Sequence, residues 1–130
     1  MKKYIISFFL IISINSIGQS PNVIGKSIKI GILEIAQYDF PKKMNWYDAT
    51  EACANLGEDW RLPTRYELNY IYINQVVIGV FLLDDYWSST EDQDGVHPDG
   101  VAYFHNFANN EKPKSGKNQR YYVRAVRSIK

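Results

Sequence analysis

Between residues 26 and 36 the sequence KSIKIGILEIA alternates, with Ile28, Ile30, Ile32 and Glu34 standing against Lys29, Gly31, Leu33 and Ile35. A period of two with this density of β-branched residues predicts a strand, or two short strands broken at Gly31. Pro41 ends the extended run, and the period changes at Asn45. From there Trp46, Ala49, Cys53 and Leu56 recur at helical spacing, with Ala52 beside them. Asn45 is a suitable N-cap, Asp48 places a negative charge in the first turn, and Gly57 supplies the stop. A helix is therefore predicted over residues 45–57. A second one opens at Thr64, where Thr64 and Glu67 have capping-box spacing after an extended Pro63. Leu68, Ile71 and Tyr72 form its apolar face, and it should end by about Asn74. From Gly79 onward the pattern turns to strands at residues 85–90, 101–107 and 121–128. Polar loops occupy residues 91–100 and 108–119. Helices early and strands late predict an α+β domain with an antiparallel sheet.

The start of the chain has a different pattern. Lys2 and Lys3 precede an apolar run over residues 4–14, and a small polar segment leads to Gly18. That is the layout of a secretory signal peptide cleaved after Gly18, which leaves residues 19–130 as a single exported domain. The run is short for a membrane span, and no cysteine follows it to carry a lipid. Export to the periplasm, the cell surface or the medium is the expectation, with no membrane insertion after cleavage. The 15 basic residues less Lys2 and Lys3 leave 13 against 14 acidic ones, a net charge of −1 that argues against a nucleic-acid partner. Cys53 is the only cysteine, so no internal disulfide forms. Stability must come from packing, to which 10 Tyr, 6 Phe and 3 Trp contribute. Cys53 itself reads as a small core residue.

The segments IGILEIAQYDFP, MNWYDATEACANLGEDWRLPTRYEL, YWSSTE, AYFHNF and YYVRAVR follow one another in that order. This arrangement resembles the Lcl-type C-terminal domain family, a bacterial extracytoplasmic domain of largely unknown function, over nearly all of residues 19–130. The resemblance implies the C-type-lectin-like architecture shared with formylglycine-generating enzymes: two helices packed on a small, twisted antiparallel sheet with long loops. In the founding member the domain is associated with adhesion to sulfated glycosaminoglycans. One fold hosts many functions, so the ligand has to be argued from residues.

Trp60, Arg61, Leu62, Pro63, Thr64 and Glu67 read as structure. Trp60 and Leu62 fill the core, and Arg61 ties down carbonyls or an acidic partner with its planar fork of donors. A pocket around Arg61 is the functional alternative. Ser88 and Ser89 flank Trp87 without a nucleophile elbow or a suitably placed histidine, and so read as backbone partners on a strand. Asp92, Asp94 and Asp99 resemble a fragment of a calcium loop, but the bidentate glutamate would fall at Tyr103, so they are a weak metal candidate.

The C-terminal segment suggests more. Lys112, Lys114, Lys117, Arg120, Arg124, Arg127 and Lys130 occur with no acid among them, whereas residues 84–99 carry six acids and neither lysine nor arginine. The expected ligand-binding loop uses Lys112, Lys114, Lys117 and Arg120, with Tyr103 or Tyr121 for sugar stacking. The alternative is that the two segments neutralise each other. Arg124 and Arg127 lie three apart, so on a regular strand they face opposite sides. Arg124 is then structural, and Arg127 faces a partner. The expected function is a non-catalytic binding or adhesion module for anionic glycans or another surface polymer, requiring no cofactor. A protein-interaction or self-assembly domain, homo-oligomeric in one version, is the alternative. A degenerate formylglycine-generating-type enzyme is weaker still, since those relatives hold copper with a cysteine pair.

Overall fold

The computed structural model describes residues 22–93 and 95–130. The leader assigned to residues 1–18, and Asp94, lie outside them. Strands β1 (Ile28–Ile30) and β2 (Leu33–Ile35) are joined by a turn in which Gly31 has φ 59, a left-handed conformation that suits glycine. The predicted break at Gly31 is thus a hairpin. Helix α1 (Trp46–Ala54) starts where the Asn45 side chain accepts from the Asp48 amide at 2.9 Å. Helix α2 (Arg65–Ile73) has both halves of the capping box: the Glu67 amide donates to the Thr64 hydroxyl at 3.1 Å, and the Thr64 amide to the Glu67 carboxylate at 2.8 Å. A one-turn helix α3 (Gln75–Ile78) follows Asn74, where the sequence pattern predicts only an end. Strands β3 (Asp85–Asp92), β4 (Val101–Asn106), β5 (Lys114–Gly116) and β6 (Val126–Ser128) complete the domain.

The strands form two antiparallel sheets, β1-β2-β6 and β3-β4-β5. Two expectations need correction. The run at residues 121–128 is not one strand. Only β6 is regular, because residues 121–125 share their backbone groups among several partners. The amides of Met44, Trp87, Phe40 and Ala36 donate respectively to the carbonyls of Tyr121, Tyr122, Val123 and Ala125 at 2.9–3.0 Å. Arg61 and Val126 exchange a further pair of bonds. The second correction is β5, which lies inside the segment expected to be a basic loop and pairs Lys114 with Tyr103. The 86–90 segment also has a local reason for its serines. The β3–β4 register slips between Trp87 and Glu91, and there the Ser88 hydroxyl donates to the Tyr103 carbonyl while the Ser89 amide donates to that of Pro63.

Two apolar clusters result. One packs α1 against Trp60, Leu62, Trp87, Val123 and Ala125. The other packs α2 and α3 against Leu33, Ile35, Phe81, Tyr86 and Phe107. Arg124, only 3% exposed, stands between them. Its Nε donates to Asp39 at 2.7 Å and its terminal nitrogens to the Ala36 and Val80 carbonyls, while its guanidinium lies 4.0 Å from the Phe81 ring centre. Asp39 also accepts from the Tyr86 hydroxyl at 2.7 Å. Removing one partner of a buried pair leaves the other charge without compensation. Arg124→Met should therefore destabilise the domain by about 3–5 kcal/mol in urea unfolding, against about 1 kcal/mol for Thr64→Ala at the half-buried helix cap.

A basic cleft as candidate functional site

The structure scatters the residues expected to form one binding loop. Lys117 is 5% exposed. Its ammonium lies 2.6 Å from the Glu91 carboxylate and 4.1 Å from the Trp46 ring centre, so it braces the start of α1 and does not face solvent. Lys114 is exposed but bound to Asp92 at 2.5 Å. The acidic and basic segments neutralise each other at these two pairs, because β5 is brought alongside the β3–β4 hairpin. Tyr121 is half-buried, stacked on Phe104 at 4.3 Å and edge-on to Trp87, with its hydroxyl on Ser115. Tyr103 is also half-buried, and the Arg65 guanidinium covers it at 3.8 Å. Neither ring is an open stacking platform.

Arg127 is likewise corrected. It donates to Glu34 at 2.9 Å, to the carbonyl and carboxylate of Glu58 at 3.2 Å, and packs over Trp60 at 4.7 Å. Glu58 and Asp59 have positive φ of 47 and 68 after Gly57 at 83, a left-handed turn that non-glycine residues rarely adopt. Arg127 and the Lys130–Asp59 pair at 2.7 Å hold that turn. Arg61 forms a bidentate pair with Glu67 at 2.7 and 2.9 Å and donates to the Leu62 carbonyl, so it serves the capping box and not a pocket. Asp92 is committed to Lys114, and among the described residues no cluster of His, Cys, Asp or Glu could hold a metal ion.

One expected residue does line a cleft. Arg120 joins Lys42 and Lys43 around a floor of Phe40, Pro41 and Met44, enclosing about 340 Å³. The cleft follows from backbone pairing: the Phe40 amide bonds the Val123 carbonyl, and Met44 and Tyr121 exchange bonds at 2.9 and 3.0 Å. Residues 40–44 are thereby set beside Arg120. Lys43 pairs with Asp84 at 3.3 Å and lies 5.1 Å over the Tyr122 ring. The exposed Lys42 and Arg120 side chains form no ion pair or hydrogen bond among the described residues. Lys112 follows the turn between β4 and β5, where its ammonium donates to the Asn110 carbonyl at 3.3 Å, and it does not line this cleft. Sequence reasoning missed Lys42 and Lys43. Their only signal was a lysine pair after Pro41, far in sequence from Arg120.

Burial pushes the Cys53 thiol up to about 12, and the Ser88 hydroxyl is committed to a carbonyl. Burial pushes the His105 imidazole down, and its Nε2 lies 2.9 Å from Asn110.

The architecture is that of a C-type-lectin-like domain. Botrocetin superposes with a TM-score of 0.57 at 14% identity, over 81% of this chain and 98% of its own. EMS16, an antagonist of the collagen receptor integrin α2β1, gives 0.59 at 9% identity, over 78% and 95%. The snake-venom toxin convulxin gives 0.58 at 9%, over 82% and 97%. Within that class the chain belongs to the Lcl C-terminal domain family, whose model matches residues 26–127. No curated protein sequence matches it significantly.

The carboxylates that brace the scaffold define a pH response. The Arg127 guanidinium, helped by the Ser27 hydroxyl, holds Glu34 below its usual range against the opposing effect of burial. Burial pushes Glu67 up, but Arg61 and Thr64 outweigh it and leave the carboxyl lowered. A carboxyl whose folded pKa is depressed contributes stability above its unfolded value, about 4.3, and loses it as pH falls through the folded value. Thermal unfolding should therefore show a stability decline below about pH 4.3, and Glu34→Gln should make that decline shallower.

Proposed function

We propose that this protein is an exported, non-catalytic binding module whose Lys42–Lys43–Arg120 cleft takes sulfate or carboxylate groups of an anionic polysaccharide. The observation that carries the reading is that Lys42 and Arg120, with no anionic partner among the described residues, face one cleft, whereas Lys114, Lys117, Arg124 and Arg127 are all paired. Arg120 supplies a planar fork for bidentate contact, and the two lysines add positive charge. The apolar floor of Phe40, Pro41 and Met44 accommodates the carbon face of a sugar ring.

Family membership and the fold support a binding role. Solved proteins of this shape include an integrin antagonist and botrocetin in complex with the von Willebrand factor A1 domain. The sequence pattern of residues 1–18 supports export. A non-catalytic role is consistent with the buried thiol of Cys53 and the engaged hydroxyl of Ser88.

Retention on heparin-agarose tests the reading. The protein should elute above physiological salt, and the double variant Lys42→Glu with Arg120→Glu should fall through at that salt. Lys114→Glu, which changes a paired charge on β5, should shift elution only slightly. Equal losses from both variants, or no loss from the double variant, would sink the assignment of the cleft.

A further inference from the structure

Helix α2 has more apolar surface than the core uses. Leu68 and Ile71 are buried in the second cluster and Tyr72 packs against it. A second stripe, Tyr66, Tyr70 and Ile73, continues into α3 as Val77 at spacings of four, three and four, and points outward. Val76 stands beside it, 95% exposed, and Tyr70, the least exposed of the set, still shows 40% of its surface. Ile32, in the β1–β2 turn, shares an apolar groove of about 470 Å³ with Tyr66 and Tyr70. Of the charges near the stripe, Glu67 is held by Arg61, and Arg65 lies 3.8 Å over the Tyr103 ring and 5.8 Å from that of Tyr66. These six side chains present on the order of 900 Å² of mostly apolar surface, beyond the roughly 300–600 Å² that the largest patch of a typical monomer reaches.

We propose that this face is a self-association surface, on which a second copy of the chain packs its own α2–α3 face about a two-fold axis. Three observations select a second copy as occupant. The patch matches the roughly 800 Å² per partner that a standard stable interface covers. Its Tyr, Ile and Val side chains are uncharged, so it is complementary to itself, and the net charge of residues 19–130 is only −1, which sets up little repulsion between copies. Finally, the groove beside Tyr66 and Tyr70 offers a hole for a side chain such as Ile73 or Val77 of the second copy, and a two-fold axis makes that contact twice. Pairing of free β1 edges is the competing geometry. An antiparallel pairing centred on Lys29, the exposed middle residue of β1, would set two lysines directly opposite each other, which is unfavourable.

Sedimentation equilibrium of the purified protein up to about 1 mM tests the proposal. The expected result is a dimer whose dissociation constant rises at least ~30-fold in Val76→Asp and in Ile73→Asp, as for loss of an interface hot spot. Both side chains are exposed, so each variant should retain the thermal unfolding of the parent. Lys29→Glu should leave the dimer unchanged. A monomer at every concentration overturns the proposal, including one that instead co-sediments with phosphatidylcholine vesicles. So does a dimer that survives both aspartate variants. Val76→Asp should still bind heparin through the basic cleft, losing only the part of the retention that two linked clefts supply, which separates this surface from the cleft itself.

Discussion

The pairing of Arg124 with Asp39 is the contact on which the two halves of the domain depend. Around it meet the segment after β2, the connection from α3 to β3, Tyr86 of β3 and the approach to β6. Apart from β3, none of these carries enough regular secondary structure to fix its own path. A guanidinium with five donors in a rigid fork can satisfy a carboxylate and two carbonyls at once, which no apolar residue at that position would do. Those carbonyls belong to irregular backbone, where a buried unpaired acceptor is costly. The buried charge is thus the means by which short strands and loops are held in register, whatever its net contribution to stability.

The same logic explains how a chain with strongly segregated charge folds without repulsion. The acidic hairpin of β3 and β4 needs a basic neighbour, and β5 with the residue after it supplies Lys114 and Lys117 at the required places. Lys117 goes further, because its ammonium also lies over the Trp46 ring. A residue that looks from the sequence like a solvent-facing charge becomes part of the core's edge. Lys42 and Arg120 are among the charges the fold leaves without an anionic partner among the described residues, and they face one cleft.

Local signals were legible in the sequence. Asn45 and Thr64 cap the helices as their spacing implies, because a cap needs only neighbours three residues away. Gly31 breaks the first strand for reasons internal to one residue. The fold class followed from the order of elements and from the resemblance carried by residues 60–68, 86–90 and 121–127, and the family match over residues 26–127 agrees with it. The candidate site was largely illegible, since pairing of the 40–44 and 121–123 segments joins residues about 80 positions apart, and nothing in either segment marks it. The strand prediction at residues 121–128 failed for a related reason. Its β-rich composition is real, but residues 121–125 share their backbone groups among several partners, so the ladder is confined to β6. The exposed stripe of α2 was readable in principle. Tyr66, Tyr70, Ile73 and Val77 have helical spacing, and were overlooked because one apolar face already accounted for the helix.

The two surfaces rest on different halves of the interior. Phe40 belongs to the cluster beneath α1, and Met44 packs against it. The outward stripe of α2 and α3 stands on the cluster of Leu68, Ile71 and Ile78. Each surface can therefore change composition without disturbing the packing behind the other, and sites with no shared partners are expected to contribute almost additively. The exception is Arg124, which reaches Ala36 and Asp39 on one side and Val80 and Phe81 on the other. Independent surfaces joined through one buried ion pair allow a binding cleft and a self-contact to be used together. A dimer would present two basic clefts to one polymer, and the second would bind at the effective concentration set by the first. Weak individual contacts with a repeating anion then suffice, which is the regime in which exposed lysine and arginine side chains operate.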